Sequence, residues 1–144
     1  MKKLIIDDGS FRDPVARVAH HNNSVYRIIY PNGFERLEFI KTILKKNDIA
    51  DSIIETKEIS KDELESLNIP DQTNIRILKH KKIDYVSYPY EWSFHRLKDA
   101  AIHHLNLHIN LLKNNATLID AYSYNIQFNY NEPTFIDLMS IREY

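Results

Sequence analysis

The chain has 144 residues, 43% of them apolar, and a formal net charge of −1 from 19 basic and 20 acidic side chains. That is the length of one ordinary domain with a core of its own, and the balance leaves no basic field for a nucleic-acid backbone or an anionic membrane surface. Cysteine is absent, which excludes disulfide scaffolds, zinc–thiolate sites and thiol catalysis, and two glycines are too few for a glycine-rich phosphate cradle.

Residues 1–6 are too short for a secretory leader, and no apolar run approaches the ~20 residues of a membrane helix, so the expected compartment is the cytoplasm. Residues 14–19 and 25–30 are β-leaning runs around the polar turn His20-His21-Asn22-Asn23-Ser24, which predicts a hairpin. Val25, Arg27 and Ile29 share one face of its second strand, and Pro31-Asn32-Gly33 ends it. A helix is expected over 34–46 with Asn47 as its stop. Residues 52–59 are ambiguous, with Ile53-Ile54 favouring a strand. Ser60 and Glu63 form a capping-box pattern for a short helix ending near Leu67 and closed by Pro70.

Two strands are expected at 74–78 and 83–88 around the turn His80-Lys81-Lys82. Residues 92–114 give the strongest helical pattern, with Phe94, Leu97, Ala101, Leu105, His108 and Leu111/Leu112 as its apolar stripe. Short strands follow at 117–119, 126–128 and 134–136, the last two joined by the turn 129–133.

Asp120, then Asn125, then a hairpin, then Asp137 after an apolar strand resembles the catalytic segment of protein-kinase-like phosphotransferases. By that resemblance Asp120 is the catalytic residue that orients or deprotonates the attacking hydroxyl. Asn125 and Asp137 are the magnesium ligands, and ATP with Mg²⁺ is the implied cofactor pair. Arg27 stands where that family has a phosphate-pairing lysine, with Glu35 or Glu38 as its partner. Residues 85–90, including Tyr88, would form the hinge beside the nucleotide base.

Tyr88-Pro89-Tyr90-Glu91-Trp92-Ser93-Phe94, Leu97-Lys98-Asp99-Ala100-Ala101, the segment from Asp120 to Phe128, Ile136-Asp137 and Ser140-Ile141 resemble a narrower set. So does Gly9-Ser10-Phe11-Arg12-Asp13-Pro14. These are the nodulation-protein-related, S-adenosylmethionine-dependent methyltransferases, which carry a kinase-like segment ahead of the methyltransferase domain. S-adenosylmethionine would enter only through such a domain, which these residues do not include.

Simpler readings stand beside these. Asp120 and Asn125 are also ordinary turn residues. His104 and His108 are four apart on a helix and could face a metal, but no carboxylate completes a ligand set there. Arg27 either faces a phosphate or forms a plain ion pair, and the aromatic cluster from Tyr85 to Phe94 either stacks on a ligand or packs as core.

The sequence thus predicts an α+β fold of truncated protein-kinase-like type. Residues 1–84 would form a small N-terminal β-rich lobe with a helix, and residues 85–144 a hinge, a long helix and a catalytic-loop-like hairpin. The implied function is a nucleotide- or anion-binding accessory module of a methyltransferase-associated protein, or a degenerate phosphotransferase. The alternative is a non-catalytic module that docks on a methyltransferase domain or a second copy. Neither nucleic acid nor membrane is expected as a partner.

Overall fold

A computed structural model describes residues 4–69 and 74–144, so Pro70 lies outside the described residues. The chain forms two compact units, one of residues 1–35 and 55–82, the other of 36–54 and 83–144. The expected division at residue 84 placed 36–54 in the N-terminal lobe, whereas the structure groups that stretch with the long helix.

The first unit is a five-stranded antiparallel sheet. Its strands are β1 (Ile5–Ile6), β2 (Ala16–His21), β3 (Ser24–Ile29), β4 (Thr56–Glu58) and β5 (Arg76–His80), in the order β1-β2-β3-β5-β4. The predicted hairpin is β2–β3. Its turn narrows to Asn22-Asn23, with φ of 45° and 64°. Positive φ at both central positions matches the twist of a two-residue hairpin, and asparagine tolerates it well. Four consecutive β3 residues, Tyr26 to Ile29, are buried, so both faces of the strand are covered. Tyr26 and Ile28 pack with Ala19, Leu67 and Ile77 in one core cluster.

The helix α3 (Lys61–Ser66) contributes Leu64 to the edge of that cluster. Its cap is as expected on one side, because Ser60 Oγ accepts from the Glu63 amide at 3.2 Å. Glu63 does not complete the box. Its carboxylate accepts from Lys79 Nζ at 2.7 Å and from the Tyr26 hydroxyl at 2.9 Å, tying α3 to the sheet.

The chain leaves this unit along α1 (Phe34–Ile43), whose Leu37, Ile40 and Ile43 are buried. Asn47, expected as a stop, instead opens the short helix α2 (Asn47–Ala50). Ile53 then bridges Phe135 in parallel, and the Ile54 amide donates to the Phe135 carbonyl at 2.9 Å. Residues 83–88 are not a strand. Ser87 spends its backbone groups on a side chain instead, donating to Gln127 Oε1 at 3.1 Å and accepting from Gln127 Nε2 at 3.0 Å.

The long helix is α4 (Phe94–Lys113), capped by Ser93. No helix among the described residues is long and apolar enough to cross a membrane. The buried side of α4 is Ala100, Leu107 and Leu111, with His103, His104 and His108 half-buried among them. Of the stripe expected to be core, Phe94, Leu97, Ala101, Leu105 and Leu112 are exposed, His108 is half-buried and Leu111 is buried. The inner face was masked because three of its positions are histidines. Beyond α4 lie β6 (Ala116–Leu118), β7 (Ile126–Asn129), β8 (Glu132–Phe135) and β9 (Ile141–Glu143). Strand β7 pairs with β8 as the predicted hairpin, and β6 pairs with β9, an element the sequence did not reveal.

One glycine is fixed by contact. A Cβ on Gly33 would stand 3.0 Å from Ile29 Cγ2 and 3.0 Å from the Val15 carbonyl oxygen. Gly33→Ala should therefore destabilise the fold by ~1–3 kcal/mol through overpacking. Urea unfolding measures this, and an unchanged midpoint would show that the β3–α1 junction is looser than described.

Candidate functional site

The loop from β6 to β7 is built around the backbone of Asp120. Leu118 pairs with Ile141, and the next amide, Ile119, donates to the Ser140 carbonyl at 2.7 Å. The Ser140 hydroxyl accepts from the Asp120 amide at 2.9 Å and donates to the Asp120 carbonyl at 3.1 Å. Ser140 is 4% exposed, so these bonds are shielded from water. Residues Ser123–Asn125 form a single 3₁₀ turn, and Asn125 Nδ2 donates to the same Asp120 carbonyl at 3.3 Å. Asn125 in turn accepts the Ile136 amide at 2.8 Å, and the Ser140 amide donates to the Asp137 carbonyl at 3.0 Å. Asp120, Asn125 and Asp137 are thus linked through one network of hydrogen bonds, made by backbone groups with the Ser140 and Asn125 side chains, within the second unit.

Asp120 is exposed, whereas Asn125 and Asp137 are half-buried. With its Nδ2 committed to Asp120, Asn125 presents Oδ1 as its remaining acceptor. No group of three or more His, Cys, Asp or Glu side chains that could hold a metal is found among the described residues. The Asn125 amide oxygen and the Asp137 carboxylate are hard oxygens of the kind magnesium accepts. His104, on α4, has its pKa lowered mainly by burial, with the Asp120 carboxylate acting in the opposite sense. Its Nε2 is buried without a hydrogen-bond partner. His108 bonds Thr117 at 3.1 Å, and His103 bonds the Ser52 carbonyl at 2.8 Å. His103 and His108 are thus each bonded to a different partner, and His104 lies between them.

The segment before α4 reaches the same loop through aromatic rings. Tyr88 stacks on Tyr90 at 5.6 Å and meets Tyr124 at 6.0 Å, and Tyr124 stacks on Tyr122 at 4.9 Å. All four rings are exposed. Tyr122 and Tyr124 lie between Asp120 and Asn125, and sequence reading passed them over. Their i,i+2 spacing within the motif was the available signal. Gln127 was also missed, although a glutamine in an otherwise apolar strand (Ile126, Phe128) points to a buried polar partner.

Arg27 and Glu38 fall in different units. Arg27 is 7% exposed in the sheet. Its Nη1 lies 3.8 Å from an Asp13 carboxylate oxygen, and its Nε donates to His80 Nε2 at 3.4 Å. His80 Nδ1 sits 2.8 Å from Thr56 Oγ1. With Nε2 accepting, His80 is a neutral tautomer that donates through Nδ1. Asp13 was not expected as an arginine partner. It also accepts the Val15 and Ala16 amides at 2.9 and 3.2 Å, which sets the start of β2. Glu38, in the second unit, pairs with Lys41 at 3.2 Å, and Glu35 is exposed.

The fold is of the protein-kinase-like class in its N-terminal lobe. The solved structure of vaccinia-related kinase 3 matches all of this chain and 48% of its own, with a TM-score of 0.56 and 12% sequence identity. No family model matches the chain. Among curated proteins, it is similar to nodulation protein NoeA of Rhizobium meliloti (strain 1021), 38% identical over 138 residues. Those residues are 94% of this chain and 28% of that relative, so the chain spans under a third of the relative's length.

The Arg27–His80 contact has a measurable consequence. Burial, reinforced by the Arg27 charge, pushes His80 down from 6.5 to about 3. Between those values the unfolded chain binds a proton that the folded chain refuses. The stability from neutral His80 is complete above about pH 6.5 and is lost as pH falls toward 3, by up to ~1.4 kcal/mol per pH unit. Burial lowers His103 and His104 in the same direction. Urea midpoints should drop between pH 7.5 and 5, and His80→Asn should flatten that slope. An equal slope in the variant would contradict a neutral, buried His80.

Proposed function

We propose that the chain is a kinase-like accessory module that binds a magnesium–nucleotide, within a methyltransferase-associated protein related to nodulation. The observation that supports this reading is the hydrogen-bond network that ties Asp120, Asn125 and Asp137 around the Ser140 hydroxyl. In the proposal Asn125 Oδ1 and the Asp137 carboxylate hold magnesium, and the ion neutralises charge on the phosphates. Asp120, exposed at the rim, faces an acceptor hydroxyl and takes its proton. Tyr88 and its ring neighbours offer a stacking surface to the base. Similarity to NoeA supports the nodulation-related part of this reading, and similarity to vaccinia-related kinase 3 supports the kinase-like fold. Its chemistry, its cytoplasmic setting and its link to S-adenosylmethionine chemistry belong to the proposal.

Adenine nucleotide should raise the melting temperature only with magnesium present, because it binds the folded state alone. Asp137→Ala should abolish that shift by removing the charged ligand. Asp120→Asn should keep the shift and remove any phosphoryl transfer, since its carboxylate acts on the acceptor. Calorimetry without magnesium-dependent binding at millimolar nucleotide would reject the reading.

A second reading is favoured by the outer face of α4. Phe94, Leu97, Ile102, Leu105, Ile109 and Leu112 are all at least 43% exposed, with Phe94 at 76% and Leu105 at 63%. On a helix of 20 residues, ~30 Å long, a stripe of this extent is a docking surface for apolar contact. In this reading a second copy of the chain covers it. Sedimentation should show a concentration-dependent dimer that Leu105→Glu with Ile109→Glu converts to monomer. A wild-type monomer at high concentration would count against it.

A further inference from the structure

A cavity of about 270 Å³ opens in the first unit beside strands β4 and β5, and four of its lining side chains are lysines. In a chain of net charge −1 this is a local concentration of positive charge. We infer that this cavity is an anion site for a compact diphosphate, separate from the proposed magnesium–nucleotide site.

The cations are set by a paired β ladder. Lys57 lies directly across from Lys79, one step from the Thr56–His80 pair. The Lys81 amide donates to the Glu55 carbonyl at 2.8 Å, which carries the same ladder one residue further. Glu63 neutralises Lys79 through the 2.7 Å ion pair. Lys82 reaches across the mouth to the Asn23 side chain of the β2–β3 turn. The charges that remain at the cavity are those of Lys57, Lys81 and Lys82 against Glu55, an excess of positive charge.

Lysine presents a compact, rotatable set of donors and meets phosphate as a point charge, without the planar geometry that arginine demands. The volume sets an upper bound on the ligand. It falls below the ~300–1,000 Å³ of sites for drug-sized molecules, yet exceeds what one phosphate fills. A diphosphate satisfies both the charge excess and the space.

Calorimetry of the full chain with inorganic pyrophosphate, in magnesium-free buffer at low ionic strength, tests this. Omitting magnesium keeps the Asn125–Asp137 proposal out of the measurement, so each can fail alone. Wild type should bind saturably, and added salt should weaken binding. Lys57→Gln with Lys81→Gln should weaken it at least about tenfold, the scale of a lost charge-assisted contact or more. Lys45→Gln with Lys113→Gln, which removes the same charge from the second unit, should leave it unchanged. Amide shifts on titration should gather at 23–24, 55–57 and 79–82. Absence of saturable binding, equal weakening by the two double variants, or shifts centred on 120–137 would each overturn the proposal. Both double variants should keep the wild-type melting profile, since all four lysines are exposed.

Discussion

The peptide of Asp120 is held at its amide and its carbonyl by one hydroxyl, that of Ser140. A buried polar group costs stability unless it is fully bonded. Ser140 meets that demand by fastening the loop after β6 to the turn before β9. Its own carbonyl is occupied by Ile119, and its amide by Asp137. The exposed carboxylate of Asp120 is therefore carried on a backbone held at both of its polar groups. Without that hydroxyl, Asp120 would be a residue in an ordinary surface turn.

A second buried polar clamp works in the same unit. Gln127 supplies both backbone partners of Ser87, and the Ser87 hydroxyl accepts from Trp92 Nε1 at 2.8 Å. Phe128, the neighbour of Gln127, meets the Trp92 ring edge at 5.2 Å and the Arg96 guanidinium at 4.9 Å. The stretch leading into α4 is thereby fixed to β7 without joining a sheet. This is also why residues 83–88 misled a reading based on β-propensity. Ile83, Tyr85 and Val86 are strand-formers by type, but no neighbouring strand takes up their backbone groups.

Much of the fold was legible where local chemistry decides it. The Asn22-Asn23 turn, the Ser60 cap, the start of α4 and the β7–β8 hairpin are each set by residues a few positions apart. Long-range pairing was not legible. Nothing near residues 141–143 announces that β9 will meet β6, and nothing in the pattern of α4 says which of two apolar stripes faces inward. Of the candidate residues, Asp120, Asn125 and Asp137 were picked out by a family resemblance, and the structure links them by hydrogen bonds around Ser140. Ser140 as their organiser was not legible, because a serine between apolar residues has many uses. Asp13 was hidden for a different reason: its two amide bonds, near in sequence, disguise its reach to Arg27.

The path of the chain between its two units has a consequence for how the molecule can be divided. The backbone passes from one unit to the other at 35/36, 54/55 and 82/83. The central strand β3 must find β5 across the whole intervening stretch, with Val25 opposite His80 about 55 positions later. Non-local closure of this kind is slow to form, because loop entropy is lost before contacts reward it. The inserted stretch 36–54 also brings Ile53 and Ile54 to Phe135, far beyond the sheet in sequence. No single cut yields either unit whole. A piece ending after the sheet would carry the apolar residues of α1 and α2 without Phe135 or α4, and a piece starting at residue 83 would lack Ile53 and Ile54. Only two pieces added back together could restore both sets of contacts, which makes the chain a natural subject for fragment complementation.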